Sequence, residues 1–446
     1  MENIELRVKP EERYQTMESF GASGAWWAQV VGGWPEETRR EIMRLLYSKT
    51  QGIGLANYRY NLGGGSKESG RGKYPNPNRR ASSFLREDGS YDWSRDAEAV
   101  WCMKEAVRNG ADEVVLFANS PPECWTVTGM AKGKTIMRAN LRRKNERKFA
   151  GYMLDAAEHF LAEEVPVKFI SPINEPFGPW IERFCGQEGC HYHPAGVRRL
   201  LRKFAQEMEK RPALKGVLLS GAENNNLRVF NKTYTRAVMN DKNIRRHLYG
   251  IDIHGYNDIP LLKKLTGAKA RFRKWMEKKY PGQPIRMSEW TEMRGGRDYG
   301  MRSALVLANE VYEDLAITNV VSWQLWIAVS DVEFCDGLIY INQDEGTFDI
   351  PKRYYAFGNY TKFIPRGSVR VALEGASCAI QAVAFLTPEG KTVVVMNNPG
   401  EAVKVSLGNA LDGASLYITD ETRGLAEEPA AGEFVLPGKS VCTWVL

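Results

Sequence analysis

Short apolar runs alternate with helical patterns along most of the chain, and this alternation constrains the fold more than any other feature. The eight runs begin near Met17, Leu55, Glu113, Phe169, Val217, Gly250, Ile285 and Val320. Between them, apolar residues recur with a helical period, most clearly over 36–47, 96–109 and 146–162. Strands that alternate with helices form parallel sheets, and eight such units favour closure. The sequence therefore predicts an α/β fold, a (β/α)8 TIM barrel.

An open, doubly wound sheet is the alternative architecture. Such a sheet usually carries a glycine-rich, phosphate-binding turn after its first strand. Here the three glycines at 63–65 follow the second predicted strand and lack the spacing of that turn. The barrel is therefore the favoured prediction.

The pattern changes after about residue 364. Strand-like runs separated by Gly, Pro and Asn turns replace the helical patterns, at 369–373, 379–386, 391–396, 402–406, 415–419 and 440–445. Residues 5–8 alternate in the same way ahead of the first barrel strand, and they are candidates for a further strand of the same unit. We therefore expect a barrel over 17–363 and a β-sandwich side domain built from 1–16 and 364–446.

The composition is that of a folded globular protein, with 43% hydrophobic and 26% charged residues in a chain of 446. No run approaches eighteen apolar residues, and the N-terminal residues lack the basic start and apolar core of a signal peptide. The seven cysteines are an odd number, and reduced thiols are the default without export. These features predict a cytoplasmic protein that crosses no membrane. The alternative is a secreted protein, if the sequence is a trimmed form.

The charge and the aromatic content bear on the partner. The net charge of +7 is small for this length, and the basic clusters at 142–144 and 198–199 are more typical of solvated helix faces than of a nucleic-acid patch. We expect neither nucleic acid nor a membrane as partner. The twelve Trp and nineteen Tyr residues favour a carbohydrate ligand, because aromatic faces stack on the apolar faces of sugars.

In a (β/α)8 barrel the active site lies at the C-terminal ends of the strands. Glu175 follows the fourth predicted strand and Glu289 the seventh, so that their carboxyls can converge on one bond. Glycoside hydrolysis needs such a pair, because one carboxyl protonates the leaving oxygen while the other attacks or activates water. The alternative for each glutamate is a structural ion pair with Arg59 or another barrel cation. Further polar or aromatic residues lie at the other strand ends: Asn61, Asn119, Asn174, Glu223, His254, Tyr256, Trp323 and Trp326.

Seven stretches carry a resemblance to a known family: 20–27, 58–65, 119–125, 174–176, 252–256, 288–290 and 354–365. By their order and spacing they resemble glycoside hydrolase family 30, in the clan of retaining (β/α)8 glycosidases, over nearly the whole chain. The resemblance implies a barrel with a side β-sandwich and a retaining β-glycoside hydrolase. We expect neither a cofactor nor a metal.

The resemblance also implies roles for the residues that match the family's site. Glu175 matches the acid/base and Glu289 the nucleophile. Asn174 matches the residue that hydrogen-bonds the sugar 2-hydroxyl. Arg59 and Tyr256 match groups that orient the nucleophile, and a cationic partner would keep Glu289 ionised.

Three further residues match walls of the sugar pocket, namely Trp125, Trp323 and His254. The alternative for Trp125 and Trp323 is that they fill the barrel core. For Trp326, a place in the pocket and a place in the core are equally favoured. Asn119 is included among the substrate-binding residues.

The stretches at 24–27 and 63–65 resemble the endo-β-1,6-galactanase branch of the family more than the glucosylceramidase branch. The resemblance therefore implies β-1,6-galactan or a related β-linked oligosaccharide as substrate. Galactose differs from glucose by one axial hydroxyl at C4, and Asn61 and Glu223 are candidate partners for it. The alternative is that both hold hydrogen bonds within the barrel.

Other functions stay open on the same fold. One is specificity for β-glucosides, β-xylosides or uronides; Arg294 and Arg297, after Glu289, would favour an acidic sugar unless they lie on the surface. Another is a catalytically inactive sugar-binding barrel, which would tend to lose one carboxylate, whereas both are present.

A cluster of Cys185, Cys190, His191 and His193 follows Glu175. Its spacing is not that of a common zinc finger. A zinc site, a disulfide and a loop that lines sugar subsites are the three interpretations.

Overall fold

The computed structural model describes residues 2–221, 223–227, 231–256, 267–375, 379–408, 413–430 and 432–446. After an N-terminal strand, β1 (Asn3–Thr16), eight parallel strands form the central sheet: β2 (Ser19–Ser23), β3 (Asn57–Asn61), β4 (Glu113–Phe117), β5 (Val167–Ser171), β6 (Leu218–Leu219), β7 (Ile251–His254), β8 (Ile285–Trp290) and β9 (Val320–Leu325). Each of the eight begins within two residues of its predicted start. The apolar runs therefore located the central strands.

The central sheet closes into a barrel. Its hydrogen-bonded order is β6-β5-β4-β3-β2-β9-β8-β7. Two single parallel bridges close the gap between the end strands: Leu219 of β6 pairs with Leu248 ahead of β7, and Asn224 after β6 pairs with Ile253 of β7. The prediction of a (β/α)8 barrel is confirmed.

Helices cover the outside of the barrel between the strands. Those in the described part of the chain are α1 (Ala28–Val31), α2 (Glu36–Tyr47), α3 (Ser66–Ser69), α4 (Ala97–Asn109), α5 (Glu146–Ala162), α6 (Pro194–Met208), α7 (Asn231–Met239), α8 (Lys242–Arg245), α9 (Ala268–Lys279), α10 (Met301–Glu313) and α11 (Lys352–Thr361). A π-helical turn, Asp314–Thr318, extends α10. No helix in these described ranges combines the length and the apolar character that crossing a membrane requires.

The N-terminal end of the barrel interior is filled by polar and charged side chains. Glu113 accepts hydrogen bonds from Ser19 Oγ at 3.2 Å and from Asn57 Nδ2 at 2.5 Å. The Arg286 guanidinium lies 3.6 Å from Glu113 and 3.4 Å from Asp252. Buried charges are tolerated when they are paired and hydrogen-bonded, and here the pairs join strands β2, β3, β4, β7 and β8.

A small three-stranded sheet follows β9 and consists of β10 (Val329–Ser330), β11 (Ile339–Asn342) and β12 (Thr347–Asp349). The C-terminal strands come after α11: β13 (Val369–Glu374), β14 (Gln381–Leu386), β15 (Thr392–Asn398), β16 (Val403–Leu407), β17 (Ala414–Thr419), β18 (Ala426–Ala430), β19 (Glu433–Leu436) and β20 (Ser440–Val445). They pair in the order β18-β17-β20-β15-β14-β13-β1-β16-β19. The predicted β-sandwich side unit is confirmed.

Strand β1 connects the two halves of this side unit. Its first residues run parallel to β16, and from Arg7 onward it runs antiparallel to β13 through two register shifts. Such irregularities let one strand pass between two packed sheets. The strand is much longer than the predicted segment 5–8. The domain boundaries at 17 and 364 stay predictions.

The side unit packs on the barrel through one apolar face and a few buried polar groups. Asn359 of α11 donates to Thr443 Oγ1 at 3.0 Å and accepts from Thr419 Oγ1 at 2.7 Å. Tyr360 Oη donates to Asn397 Oδ1 at 2.9 Å, and Asn397 donates to the Ala308 carbonyl. These bonds fix α10 and α11 against the side unit.

Candidate active site

Arg59 lies at the centre of the cluster of charged side chains at the C-terminal end of the barrel. It projects from β3 and is fully buried. Its Nη1 donates to Glu289 Oε2 at 2.7 Å, and its Nη2 donates to Glu223 Oε2 at 2.7 Å and to Asn174 Oδ1 at 3.0 Å. The guanidinium also lies over the Phe117 ring, 3.7 Å from its centroid. One cation thus joins side chains from three separate parts of the barrel.

His254, at the end of β7, is a second fully buried group in the cluster. Its Nδ1 is 3.0 Å from Glu175 Oε1 and 3.6 Å from Glu289 Oε1. Its Nε2 is 3.7 Å from Glu223 Oε2. Burial lowers the pKa of this imidazole, but the three carboxylates outweigh burial and raise the pKa to about 10. His254 is therefore a cation at neutral pH and not simply the pocket wall that was predicted.

Glu175 follows β5 and has a left-handed backbone conformation, with a φ of 42°. A non-glycine residue in this region is under strain, which surrounding contacts must hold. Its N–H donates to the Glu223 carbonyl, and its own carbonyl accepts from Gly178 N–H and Trp180 Nε1–H, each at 2.8 Å. Its side chain is 13% exposed, against 5% for Glu289 and 1% for Glu223, so Glu175 is the carboxyl nearest to solvent.

A chain of amides continues from Arg59. Asn174 Nδ2 donates to Asn119 Oδ1 at 3.0 Å, and Asn119 Nδ2 donates to Asn61 Oδ1 at 3.3 Å. On the other side, Tyr256 Oη donates to Glu289 Oε1 at 3.1 Å. The predicted residues Arg59, Asn174 and Tyr256 are thus in contact with each other or with Glu289.

The two glutamates beside Arg59 differ in their electrostatics. Burial raises the pKa of Glu223, but the charges of Arg59 and His254 outweigh it and lower the pKa to about 2. Burial raises the pKa of Glu289 above its ordinary value, with His254 and Arg59 opposing the rise. The predicted contact between Arg59 and Glu289 is present, but it does not cancel the cost of burying that carboxylate.

The charge balance constrains protonation. Two cations, Arg59 and His254, face three carboxyls, Glu175, Glu223 and Glu289. An uncompensated buried charge is costly, so the cluster favours one further proton. Burial favours the protonated form of Glu289, whereas Glu223 is ionised. Such a cluster provides one carboxylic acid and one carboxylate side by side.

Trp323 does not form the wall of the sugar pocket that was predicted for it. This side chain is fully buried, its Nε1–H donates to Asp314 Oδ2 at 3.0 Å, and its ring packs against Trp290 and Phe357. Because neighbouring side chains of a strand face opposite sides, Trp323 faces the helices and fills the core. Trp326 instead lies at the site, 5.6 Å from the Arg59 guanidinium.

Two more predicted substrate contacts are placed differently. The Glu223 carboxylate is buried against Arg59, which matches the alternative that it holds the barrel together rather than a sugar hydroxyl. Trp125 lines a groove at the side of the barrel, and its ring packs edge-on against Tyr152 of α5. Asn61 is half-buried and borders a small cavity next to Trp26.

The segment after Glu175 is held by several separate hydrogen bonds. Cys185 and Cys190 are both free thiols, so the disulfide interpretation is wrong. His193 Nε2 lies 3.0 Å from the Met137 carbonyl, and His191 Nδ1 lies 3.4 Å from the Gly178 carbonyl. Glu188 of the same segment accepts hydrogen bonds from Gly64 N–H and Ser66, so the segment fastens the glycine loop after β3.

Within the described residues, Glu175, His254 and Glu289 form the group of three whose potential metal-ligating atoms lie within 4.8 Å of one another. A metal would require neutral imidazole, against the raised pKa of His254, and would compete with Arg59 for Glu289. The donor set therefore suits hydrogen bonding and proton transfer better than a metal ion.

Known proteins share the whole architecture. The model of O-glycosyl hydrolase family 30 matches residues 3–272 and 285–340, and the model of that family's β-sandwich domain matches residues 367–444. An endo-β-1,6-galactanase of Hypocrea rufa is 24% identical over 429 residues, which cover 90% of this chain and 82% of that protein.

Two more relatives extend the comparison. The lysosomal acid glucosylceramidase of Mus musculus is 26% identical over 232 residues, covering 48% of this chain and 39% of that protein. The crystal structure of a conserved exported protein from Bacteroides fragilis superposes with a TM-score of 0.89 at 23% identity, covering 99% of this chain and all of that one. The structural likeness supports the fold.

The charge on His254 predicts a pH-dependent contribution to stability. Because its pKa is raised to about 10 from 6.5, the native state binds the proton more tightly than the unfolded state. The stabilisation should be complete below about pH 6.5, decrease above it and disappear as the pH passes about 10. The difference in unfolding free energy between wild type and His254→Gln, measured in urea at pH 6, 8 and 10, should therefore shrink with rising pH.

His193→Gln is the matched control, since this histidine is exposed on the loop after Glu175. Its difference from wild type should be small and should not follow the same course. A His254→Gln difference that is constant from pH 6 to pH 10 would contradict a protonated His254.

Proposed function

Since the chain belongs to glycoside hydrolase family 30, and is therefore a hydrolase of O-glycosyl bonds, we propose that it cleaves β-1,6-linked galactan chains by double displacement. In this proposal Glu289 is the nucleophile and Glu175 the acid/base. The main support for this proposal is the placement of the two carboxyls in the cluster around Arg59 and His254. Their oxygens lie within 4.8 Å of one another.

The separation of the carboxyls supports retention of configuration. Retaining glycosidases hold the two groups roughly 5–5.5 Å apart, so that one can attack the sugar directly. Inverting enzymes separate them by roughly 6.5–9.5 Å to admit a water molecule between sugar and base. Carboxyl oxygens that approach within 4.8 Å of one another support the closer, retaining arrangement.

In the first step, Glu289 attacks the anomeric carbon while Glu175 gives its proton to the glycosidic oxygen. The bond from that carbon to the leaving sugar breaks, and a covalent glycosyl-enzyme forms. Arg59 and Tyr256 each contact a different oxygen of Glu289, which fixes the orientation of the carboxylate.

In the second step, Glu175 is ionised and takes a proton from water. The water oxygen attacks the anomeric carbon and Glu289 leaves as a carboxylate. His254, in contact with both carboxyls, stabilises whichever one carries the negative charge. Asn174 is held by Arg59 and Asn119 and is the proposed donor to the sugar 2-hydroxyl, a bond that strengthens in the transition state.

The choice of galactan rests on the Hypocrea rufa galactanase, to which the match extends over 90% of the chain. A pocket that hydrogen-bonds the axial C4 hydroxyl of galactose leaves a buried group unpaired when glucose binds. Asn61 remains the candidate partner, because it is half-buried at the end of β3 and its side chain contacts Asn119. Glu223 is no longer a candidate, because Arg59 occupies its carboxylate.

The two arginines on which specificity for an acidic sugar would depend are engaged in contacts within the protein. Arg294 donates to Glu292 and Asp298, and Arg297 pairs with Glu333 and donates to the Ile341 carbonyl. Both guanidinium groups are therefore occupied by the protein itself. Specificity for β-glucosides or β-xylosides is the remaining alternative on this fold.

Glu175→Gln tests the role of the acid. General acid catalysis contributes about 10²–10⁴-fold, and a leaving group that needs no proton does not depend on it. The variant should lose roughly that factor in kcat/KM on oligosaccharides and on phenyl glycosides, but little on the first step with dinitrophenyl glycosides. Rates on the series of aryl glycosides provide the measurement.

Glu182→Gln, a substitution in the same segment on a half-buried glutamate, is the matched control and should leave all rates near wild type. An equal loss for Glu175→Gln on activated and unactivated substrates would remove Glu175 from the role of acid.

The sugar is tested by comparing kcat/KM on aryl β-galactoside, β-glucoside and β-xyloside, and then on β-1,6-galactobiose and longer fragments. The β-galactoside should be preferred, because only it offers the axial hydroxyl. A preference for glucoside or xyloside, together with no cleavage of β-1,6-galacto-oligosaccharides, would overturn the galactan proposal and leave the glycosidase.

A further inference from the structure

A groove of about 540 Å³ lies on the side of the barrel, outside the charged cluster. We call it the side groove and define it by Arg86, Tyr91, Trp125, Lys148, Gly151 and Tyr152. It lies between the loops that follow β3 and β4 and the N-terminal half of α5. None of the charged residues around Arg59 lines it. Its volume is in the range of sites that hold small ligands.

The aromatic side chains of the side groove are held in place. Tyr152 is the central ring, with Tyr91 at 5.8 Å and Trp125 at 6.1 Å between ring centroids. Tyr152 Oη is bonded to Ser83 and Phe84, and Tyr91 Oη donates to Asp155 at 2.5 Å. Fixed rings present apolar faces to a ligand without an ordering cost at binding.

The polar groups of the side groove favour a neutral ligand. Its lining has two cations, Arg86 and Lys148, and three acidic side chains, Glu87, Asp88 and Asp155. Asp155 is also paired with Arg211 at 2.6 Å, so the charges are even. Lys148 makes no ion pair with any described residue, and the indole N–H of Trp125 has no hydrogen-bond partner among them. Free donors beside aromatic faces, without an excess of one charge, suit the hydroxyls and C–H faces of a sugar better than a phosphate or an acidic peptide.

The glycine at position 151 gives a separate indication that the side groove binds a ligand. It lies inside α5, where glycine costs about 0.5–1 kcal/mol relative to alanine. A Cβ at this position would meet no atom within 4 Å, so packing does not require glycine there. The open space above Gly151 is part of the side groove. An unfavourable residue that only keeps the groove open points to a ligand that approaches the helix backbone closely.

The side groove lies close to the charged cluster along the sequence. Trp125 follows Asn119 by six residues in the loop after β4. Six residues span at most about 20 Å, so a long oligosaccharide bound at Asn119 can also reach Trp125. We propose that the side groove is a second, non-catalytic binding site for the same β-linked oligosaccharide that is hydrolysed at Glu175 and Glu289. This inference rests on the proposed function.

Gly151→Met tests the proposal, because methionine favours helix and its side chain would occupy the groove. Gly151→Ala is the matched control, which relieves the helix of glycine but leaves most of the groove open. Both variants should unfold at or above the wild-type temperature. On aryl β-galactoside, Gly151→Met should keep wild-type kcat/KM; on long β-1,6-galacto-oligosaccharides it should lose about tenfold in kcat/KM, while Gly151→Ala loses much less.

The outcomes are distinguishable. If wild type cleaves another β-linked series instead of galactan, the sugar of the proposed function fails and the same comparison is made on that series. If Gly151→Met retains wild-type rates on the long substrates, the side groove binds no sugar and the inference is overturned. An equal loss on the aryl glycoside and on the long oligosaccharide would also overturn it, because the substitution would then affect the charged cluster around Arg59.

Discussion

The contacts of Arg59 with Glu289, Glu223 and Asn174 are the interaction on which the rest of the site depends. Burial lowers the pKa of this guanidinium, and the two carboxylates raise it above its ordinary value. Removing one partner from a buried ion pair costs about 3–5 kcal/mol, because it leaves the other charge uncompensated. The same pairs therefore stabilise the barrel and orient the carboxyls to which we assign the reaction. His254 brings a second cation to the same carboxyls, and the resulting balance of charge provides one acid and one carboxylate.

A second arginine makes a comparable layer lower in the barrel. Arg286 lies between Glu113 and Asp252, with its guanidinium 3.6 Å from the centroid of the Phe169 ring. The interior of this barrel is thus held by two layers of ion pairs as well as by apolar side chains. Such directional contacts fix strand positions more narrowly than apolar packing does. A narrow placement is what a reaction needs when two carboxyls must act on one carbon.

The sequence located the barrel strands because each is short, lies in or beside an apolar run and alternates with a helical pattern. It missed β18 and β19, which are the two edge strands of the side unit and carry exposed charged residues and a proline in place of a clear alternation. The two glutamates that we propose as catalytic were selected because they follow strands of a predicted barrel. Trp323 was misplaced although the signal was present. Ser322 bonds to Ser19 inside the barrel, so even-numbered residues of β9 face inward and Trp323 faces outward. The roles of Glu223 and His254 depend on distances between strands that no sequence pattern contains.

In the proposed mechanism Glu289 forms a covalent bond to the sugar while Glu175 transfers the proton. Two displacements at one carbon restore its original configuration, whereas a single attack by water inverts it. The most direct measurement is the ¹H NMR spectrum of the first sugar released from a β-linked substrate, recorded before the anomers equilibrate. Double displacement predicts that the β-anomer appears first and that the α-anomer forms only by mutarotation. Initial release of the α-anomer would contradict the double displacement and the roles assigned to both glutamates.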